Sequence, residues 1–233
     1  MIALITSTLK PSKIYSAFSD DERYQQTIYT ANTLFSKGFT DVILIDNSAN
    51  FINLDKLKQD SNQQLKAYHT PQYSFNNKGL NEALLILNHI DKLPESKPVF
   101  KISGRYYPNE NFTIKDLTSF GKYDFVGVGE GFDQRIPYFS TRAYLVKNKQ
   151  VLEQILVLAI EEMLSYHKGV YGLDSLFKLI KSFFVKTLGA SYQLSLEQAF
   201  AIILKKQENF MLLKKINIGG FVAGFNQQTY ISE

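Results

Sequence analysis

Four short segments of the chain carry residue types that hold anions. Lys101-Ile-Ser-Gly-Arg-Tyr-Tyr107 reads as a buried strand that stops at a Gly-Arg-Tyr corner, delivering the Arg105 guanidinium with Tyr106 beside it. A guanidinium there suits bidentate phosphate contact. Asn77-Lys78-Gly79 stands at the start of a predicted helix, where free N–H groups, the dipole and a lysine favour phosphate. Thr6-Ser7-Thr8 offers hydroxyls and amides, and Asp46-Asn47-Ser48 offers a carboxylate to a ribose or a base N–H. Each has a plainer reading. Asp46 can equally open an Asx turn or cap a helix, Lys78-Gly79 is a common loop pair, and Arg105 can pair with a surface carboxylate. Neither a Walker A motif nor G-x-G-x-x-G occurs, so the usual ATPase and dehydrogenase phosphate loops are missing.

The elements around these segments place all four at predicted carboxyl ends of strands. Ile2–Ile5 is a continuous apolar run suited to a central parallel strand. From Glu22 to Lys37, Tyr24, Ile28, Ala31, Leu34 and Phe35 mark one helical face, closed by Gly38. Val42–Ile45 is a second buried strand, which makes a β-α-β unit. A short strand over 64–68, a helix over 80–91, the strand through 101–107, a strand over 123–128 and another over 140–146 follow. Helices are predicted over 149–166, 173–186 and 195–206, and a Gly-rich, strand-like tail over 216–230. The fold class is α/β, one domain over 1–233 with a mixed, mostly parallel sheet and a more helical C-terminal half. Ligands of such sheets collect beyond the carboxyl ends of the strands.

Composition narrows the function. With 26 basic and 22 acidic residues the net charge is only +4, too balanced for a dedicated nucleic-acid binder but open to a local basic pocket. No cysteine is present, which excludes disulfides, thiolate metal sites and a cysteine nucleophile. His69, His89 and His167 lack ligand spacing. The start, MIALITSTLKPS, reads as a first strand rather than a signal peptide, and the apolar run in 151–160 falls short of a membrane span. The expectation is a cytoplasmic protein.

The segments ITSTLKPS, DDERYQQTIYTANTLF, VILIDNS, NKGLNEALLI, FKISGRYY and FSTRAYLV together resemble bacterial GT-A-type glycosyltransferases, more narrowly the small transferases of capsule and lipopolysaccharide loci. The likeness covers roughly 1–150. It implies a GT-A-like (Rossmann-like) fold in which 1–150 binds a nucleotide-sugar donor, with Asp46 near the base or ribose, and 151–233 forms an acceptor-side helical half. In most such enzymes the strand matching KISGRYY ends in an Asp-x-Asp motif that holds a divalent metal; here the position reads Ser103-Gly104-Arg105-Tyr106. No metal is therefore expected to be required, and Arg105 and Lys78 take its place against the leaving phosphate.

An inverting transferase needs a carboxylate to take the acceptor proton. Glu197 and Asp174 both open predicted helices and are the candidates, Glu197 preferred for its likeness to a segment of the same transferases. Glu130, Asp133 and Arg142 are candidate acceptor-binding residues. The expected partners are an activated sugar donor and an oligosaccharide or lipid-linked glycan acceptor, with no nucleic acid. Lys205-Lys206 and Lys214-Lys215 could draw the protein to the inner face of an anionic membrane. Rival readings are a non-catalytic nucleotide- or sugar-binding partner and a phosphoribosyl- or nucleotidyl-transferring enzyme.

Overall fold

The computed structural model describes residues 1–11, 17–50, 52–61, 64–71, 73, 75, 77–133, 137–165, 173, 177, 194–223 and 228–233. Strand β1 (Ile2–Ser7) is buried at every position, as a strand covered on both faces must be. It lies parallel to β2 (Val42–Asp46) on one side and to β4 (Val99–Ser103) on the other. Ser7 pairs with Asp46 and Thr6 with Ser103, so the three strands end at one edge. β3 (Lys66–His69) extends the sheet beyond β2. Beyond β4 come β7 (Tyr138–Val146), β6 (Phe125–Glu130) and β8 (Phe210–Leu213), giving the order β3-β2-β1-β4-β7-β6-β8. Only β7 runs against the rest. The mixed, mostly parallel sheet flanked by helices is the architecture expected from the sequence.

Helices cover both faces. α3 (Lys78–Asn88), α5 (Lys149–Ser165) and α6 (Leu196–Leu204) pack with Ile2, Leu4, Ile43 and Ile45. α1 (Asp20–Ser36), α2 (Leu54–Asp60) and α4 (Ile114–Ser119) pack with Ala3, Ile5, Val42 and Leu44 on the other face. The period-2 alternation along β1 and β2 sets these two cores apart. Ser19 and Glu22 close a capping box at the start of α1, and Gly38, at φ 96°, takes the left-handed position just past its end.

The KISGRYY segment is two strands rather than one. β4 stops at Ser103, and β5 (Tyr106–Pro108) joins β9 (Ile218–Ala223) and β10 (Gln228–Ser232) in a second, antiparallel sheet. The break follows from α1, which crosses here: a Cβ on Gly104 would lie 2.9 Å from Thr27 Oγ1 and 3.3 Å from Ser7 Oγ. Thr27 donates to the Gly104 carbonyl at 3.2 Å and Thr30 to that of Tyr106 at 2.8 Å, so the helix takes over the bonds a strand partner would supply. The helix expected over 173–186 lies outside the described residues apart from 173 and 177. The described part of 151–233 holds α5 and α6 but also β8, β9 and β10. No helix among the described residues is long and apolar enough to cross a membrane.

Candidate active site

The strand-end hydroxyls and Asp46 turn inward. Asp46 is fully buried; one carboxylate oxygen accepts from the Leu9 amide and the other from the Ser48 amide, both at 2.7 Å. Burial raises its pKa, and the Ser48 and Leu9 contacts only partly offset that. Ser48 Oγ accepts from the Lys10 amide, Asn47 accepts from Thr8 Oγ1, Ser7 bonds Thr27, and Thr6 donates to Glu82 at 2.8 Å. Asp46, expected near a base or ribose, and Thr6, Ser7 and Ser48, expected on the donor side, are all buried and bonded within the protein. They hold the loop after β1 against the end of β2. Thr8 is half-buried at the rim.

Three cations converge above this floor. Arg105 follows the Gly104 break and stands half-buried, its guanidinium 5.6 Å from the Tyr106 ring centre. Lys78 opens α3, with its pKa lowered by burial and then by the charges of Arg105 and Arg23. Arg23, in the first turns of α1, is the residue that the sequence reading missed. Only 7% of its surface is exposed, Nε donates to the Thr8 carbonyl at 3.3 Å, and the buried Nη1 has no hydrogen-bond partner among the described residues. Burial, then the Arg105 charge, pull its pKa well below the ordinary arginine value, to about 9, against the smaller opposing effect of Asp46. Since a guanidinium holds its proton tenaciously, that direction marks a charge short of counter-charge rather than a neutral arginine. The signal in the sequence, an arginine in the first turns of an amphipathic helix, is that of any solvated helix start.

Carboxylates gather on the other side. Gly79 packs so closely on Leu196 that a Cβ would lie 2.6 Å from Leu196 Cβ, and Asn77, capping α3 through Leu80, also donates to the Leu194 carbonyl at 3.2 Å. Gly79, named with Lys78 as a donor-side residue, sits at the contact between the starts of α3 and α6. Glu82 of α3 and Glu197 of α6 are brought near one another by this contact. Lys101, wholly buried in β4, donates to Glu82 Oε1 at 2.5 Å, the Thr141 carbonyl at 2.5 Å and Ser103 Oγ at 3.1 Å. Thr141 Oγ1 donates to Glu197 Oε1 at 2.9 Å.

A β-bulge makes that bridge. Gly127 pairs with Tyr144 but Gly129 with Phe139, two steps along β6 against five along β7. Phe139 and Tyr144 consequently face the same core although five positions apart. Such a bulge re-aims side chains: Thr141 turns to α6, whereas Arg142 reaches Glu233 across the small sheet at 3.0 Å. The β4–β7 ladder ends at Ala143, so the Thr141 carbonyl would lack a partner if Lys101 did not supply one.

The remaining candidates scatter. Arg142 is committed to Glu233, and although burial opposes its charge, Tyr138 and Glu233 outweigh it. Glu130 and Asp133 are exposed around the end of β6. Tyr106 is 2% exposed and packed in the core. Asp174 lies outside the described residues. Among the described residues no three or more His, Asp or Glu side chains are grouped so as to hold a metal ion.

No sequence-family model matches the chain, and no curated protein matches it in sequence. Solved structures do match in fold. The galactosyltransferase LgtC, solved with donor and acceptor sugar analogues, is 10% identical with a TM-score of 0.50, over 94% of this chain and 86% of that one. The glycosyltransferase GlyE of Streptococcus pneumoniae TIGR4 is 12% identical with a TM-score of 0.51; the match covers 91% of this chain but 45% of GlyE. A Bacillus anthracis protein described as a glucose-1-phosphate thymidylyltransferase, solved with sucrose, is 11% identical with a TM-score of 0.50, over 99% and 88%. At these identities the likeness speaks to fold, and the fold is the GT-A-like, Rossmann-like sheet that glycosyltransferases and nucleotidyltransferases share.

Proposed function

We propose that the chain is a glycosyltransferase that moves a sugar from a nucleotide- or phosphate-linked donor to a glycan acceptor. One observation carries the reading: Arg23, Lys78 and Arg105 converge at the carboxyl edge of a GT-A-like sheet, with Arg23 Nη1 buried and unpartnered among the described residues. Buried polar groups without partners are rare and need a reason, and an anionic leaving group supplies one. In the transfer, the bond between the sugar C1 and the phosphate oxygen breaks with its electron pair going to the phosphate. The three cations offset that growing charge, as preorganised groups do best away from bulk water. The acceptor oxygen bonds to C1 and its proton goes to Glu197, which gives inversion.

The clamp needs no metal in this reading. Residues 1–150 supply the donor side and 151–233 the acceptor side. The acceptor is a surface-polysaccharide or lipid-linked glycan of the capsule or lipopolysaccharide kind, met from the cytoplasm. The exposed Lys205, Lys206, Lys214 and Lys215 would attract the protein to the membrane face. A nucleotidyltransferase is the second reading, favoured by the extent of the thymidylyltransferase match.

The test is a thermal-shift panel with UDP, GDP, CDP, CMP and phosphoribosyl pyrophosphate, each with manganese or EDTA. A ligand at a hundred times its dissociation constant stabilises by about 2.7 kcal/mol. One nucleotide should raise Tm in EDTA and lose its effect in a folded Arg105→Ala protein. A shift that needs manganese would defeat the metal-free clamp and direct attention to Glu130 and Asp133. Silence throughout would defeat the donor reading. Pyrophosphate release from a nucleoside triphosphate and a sugar phosphate would favour the second.

A further inference from the structure

The large sheet ends on one side in β8, which pairs with β6 and with no other strand among the described residues. A free strand edge offers a row of unpaired N–H and C=O groups, and folds that leave one commonly blunt it with charge. The opposite edge is treated in that way, since β3 opens on Lys66, which pairs with Asp41. β8 is Phe210-Met211-Leu212-Leu213, without a charge, a proline or a glycine. Phe210 and Leu212 pack on the core that holds α5 and α6, Met211 and Leu213 on the other, yet all four stay partly exposed. The Asn209 carbonyl accepts from the Asp124 amide just before β6, so alternation turns the amide and carbonyl of Phe210 and Leu212 outward. Glu208 before the strand and Lys214 after it are both exposed.

We propose that β8 pairs antiparallel with β8 of a second copy of this chain, joining two seven-stranded sheets into one across a two-fold axis. An axis normal to the sheet keeps each side chain on its own face, so only registers that set like faces opposite one another are open. One of these puts Met211 on the axis, Phe210 opposite Leu212 and Glu208 opposite Lys214. The outward groups of Phe210 and Leu212 then meet as hydrogen-bonded pairs. Ring and leucine pack across the seam, and opposite charges close it at both ends. A slip of two residues either way sets Lys214 against Phe210 or against Lys206, so the charges select the register. This self-complementarity is what names a second copy as the occupant: a foreign strand has no reason to carry a base and an acid at the matching spacing. The pairing is independent of what the cations hold.

Sedimentation equilibrium over a concentration series reaching about 100 μM should show a monomer–dimer equilibrium with a micromolar dissociation constant. Glu208→Lys and Lys214→Glu alter exposed side chains and leave the fold intact. Each should weaken the dimer about tenfold, because the axis repeats every altered pair and turns attraction into repulsion twice. Both changes in one chain should return the affinity to within about threefold of the parent. Amide hydrogen exchange gives a second readout: protection of Phe210 and Leu212 should rise with protein concentration. A chain that stays monomeric at the highest concentration overturns the proposal. So does a dimer indifferent to both charge changes, which would be using another face. Single variants that weaken the dimer without recovery in the double variant overturn it as well, since Glu208 and Lys214 would then not face each other.

Discussion

The cationic and carboxylate sides of the candidate site are built in different ways. On the carboxylate side, Lys101 is wholly buried yet each of its donors has an acceptor, and one of these is the carbonyl that the β7 bulge leaves open. On the cationic side, Arg23 is almost as deeply buried, but Nη1 has no acceptor among the described residues and Arg105 and Lys78 add charge of the same sign. A satisfied buried ion belongs to the scaffold, because removing its partner is costly. An unsatisfied one is a candidate for holding a ligand. The contrast separates the groups that shape the candidate site from those placed to bind there.

The sharpest way to break the comparison is Lys101→Met. It leaves Glu82 without its cation and the Thr141 carbonyl without a donor, and should cost about 3 kcal/mol, the low end for a broken buried pair because Glu82 keeps some solvent contact. Urea unfolding measures it. A loss within a few tenths of a kcal/mol would mean that the Lys101 network is not scaffold. Adding Glu82→Gln in the same chain should recover part of the loss, since the orphaned charge goes with it. Gly79→Ala comes next. The new methyl would press on Leu196 at 2.6 Å where helix meets helix, for a cost of about 2 kcal/mol by overpacking. Unchanged unfolding would show that the starts of α3 and α6 are not locked together.

How far the sequence shows all this differs between the same two sides. The strands and helices of 1–150 are legible because β1 and β2 are solid apolar runs and α1 ends at a left-handed glycine, signals that depend on neighbours in sequence. Arg105 and Lys78 are legible as strand-end and helix-start cations. The split of KISGRYY is hidden, because it depends on α1 crossing Gly104 rather than on any local propensity. Lys101 looks like a solvent-facing strand residue, and only the bulge, made by pairing with β6, shows why a lysine belongs inside. Asp46 and Ser48 misled for the opposite reason. The residue types that bind ribose also tie loops, and burial decides between the two. β8, only four residues long and followed at once by a lysine pair, and α2, in a polar stretch, carry too little periodicity to be seen.

Arg23→Met tests the cationic side by itself. Methionine fills much of the same space without a charge, so nothing that the fold relies on is lost except the Nε bond to the Thr8 carbonyl. Replacing a poorly compensated buried ion by an apolar side chain is often neutral or stabilising, so the variant should unfold no more easily than the parent at neutral pH. Its affinity for the nucleotide identified in the thermal-shift panel should nevertheless fall about tenfold, as for one charge-assisted contact. A stability deficit in the variant at neutral pH, with nucleotide affinity unchanged, would make Arg23 part of the scaffold and dissolve the distinction between the two sides.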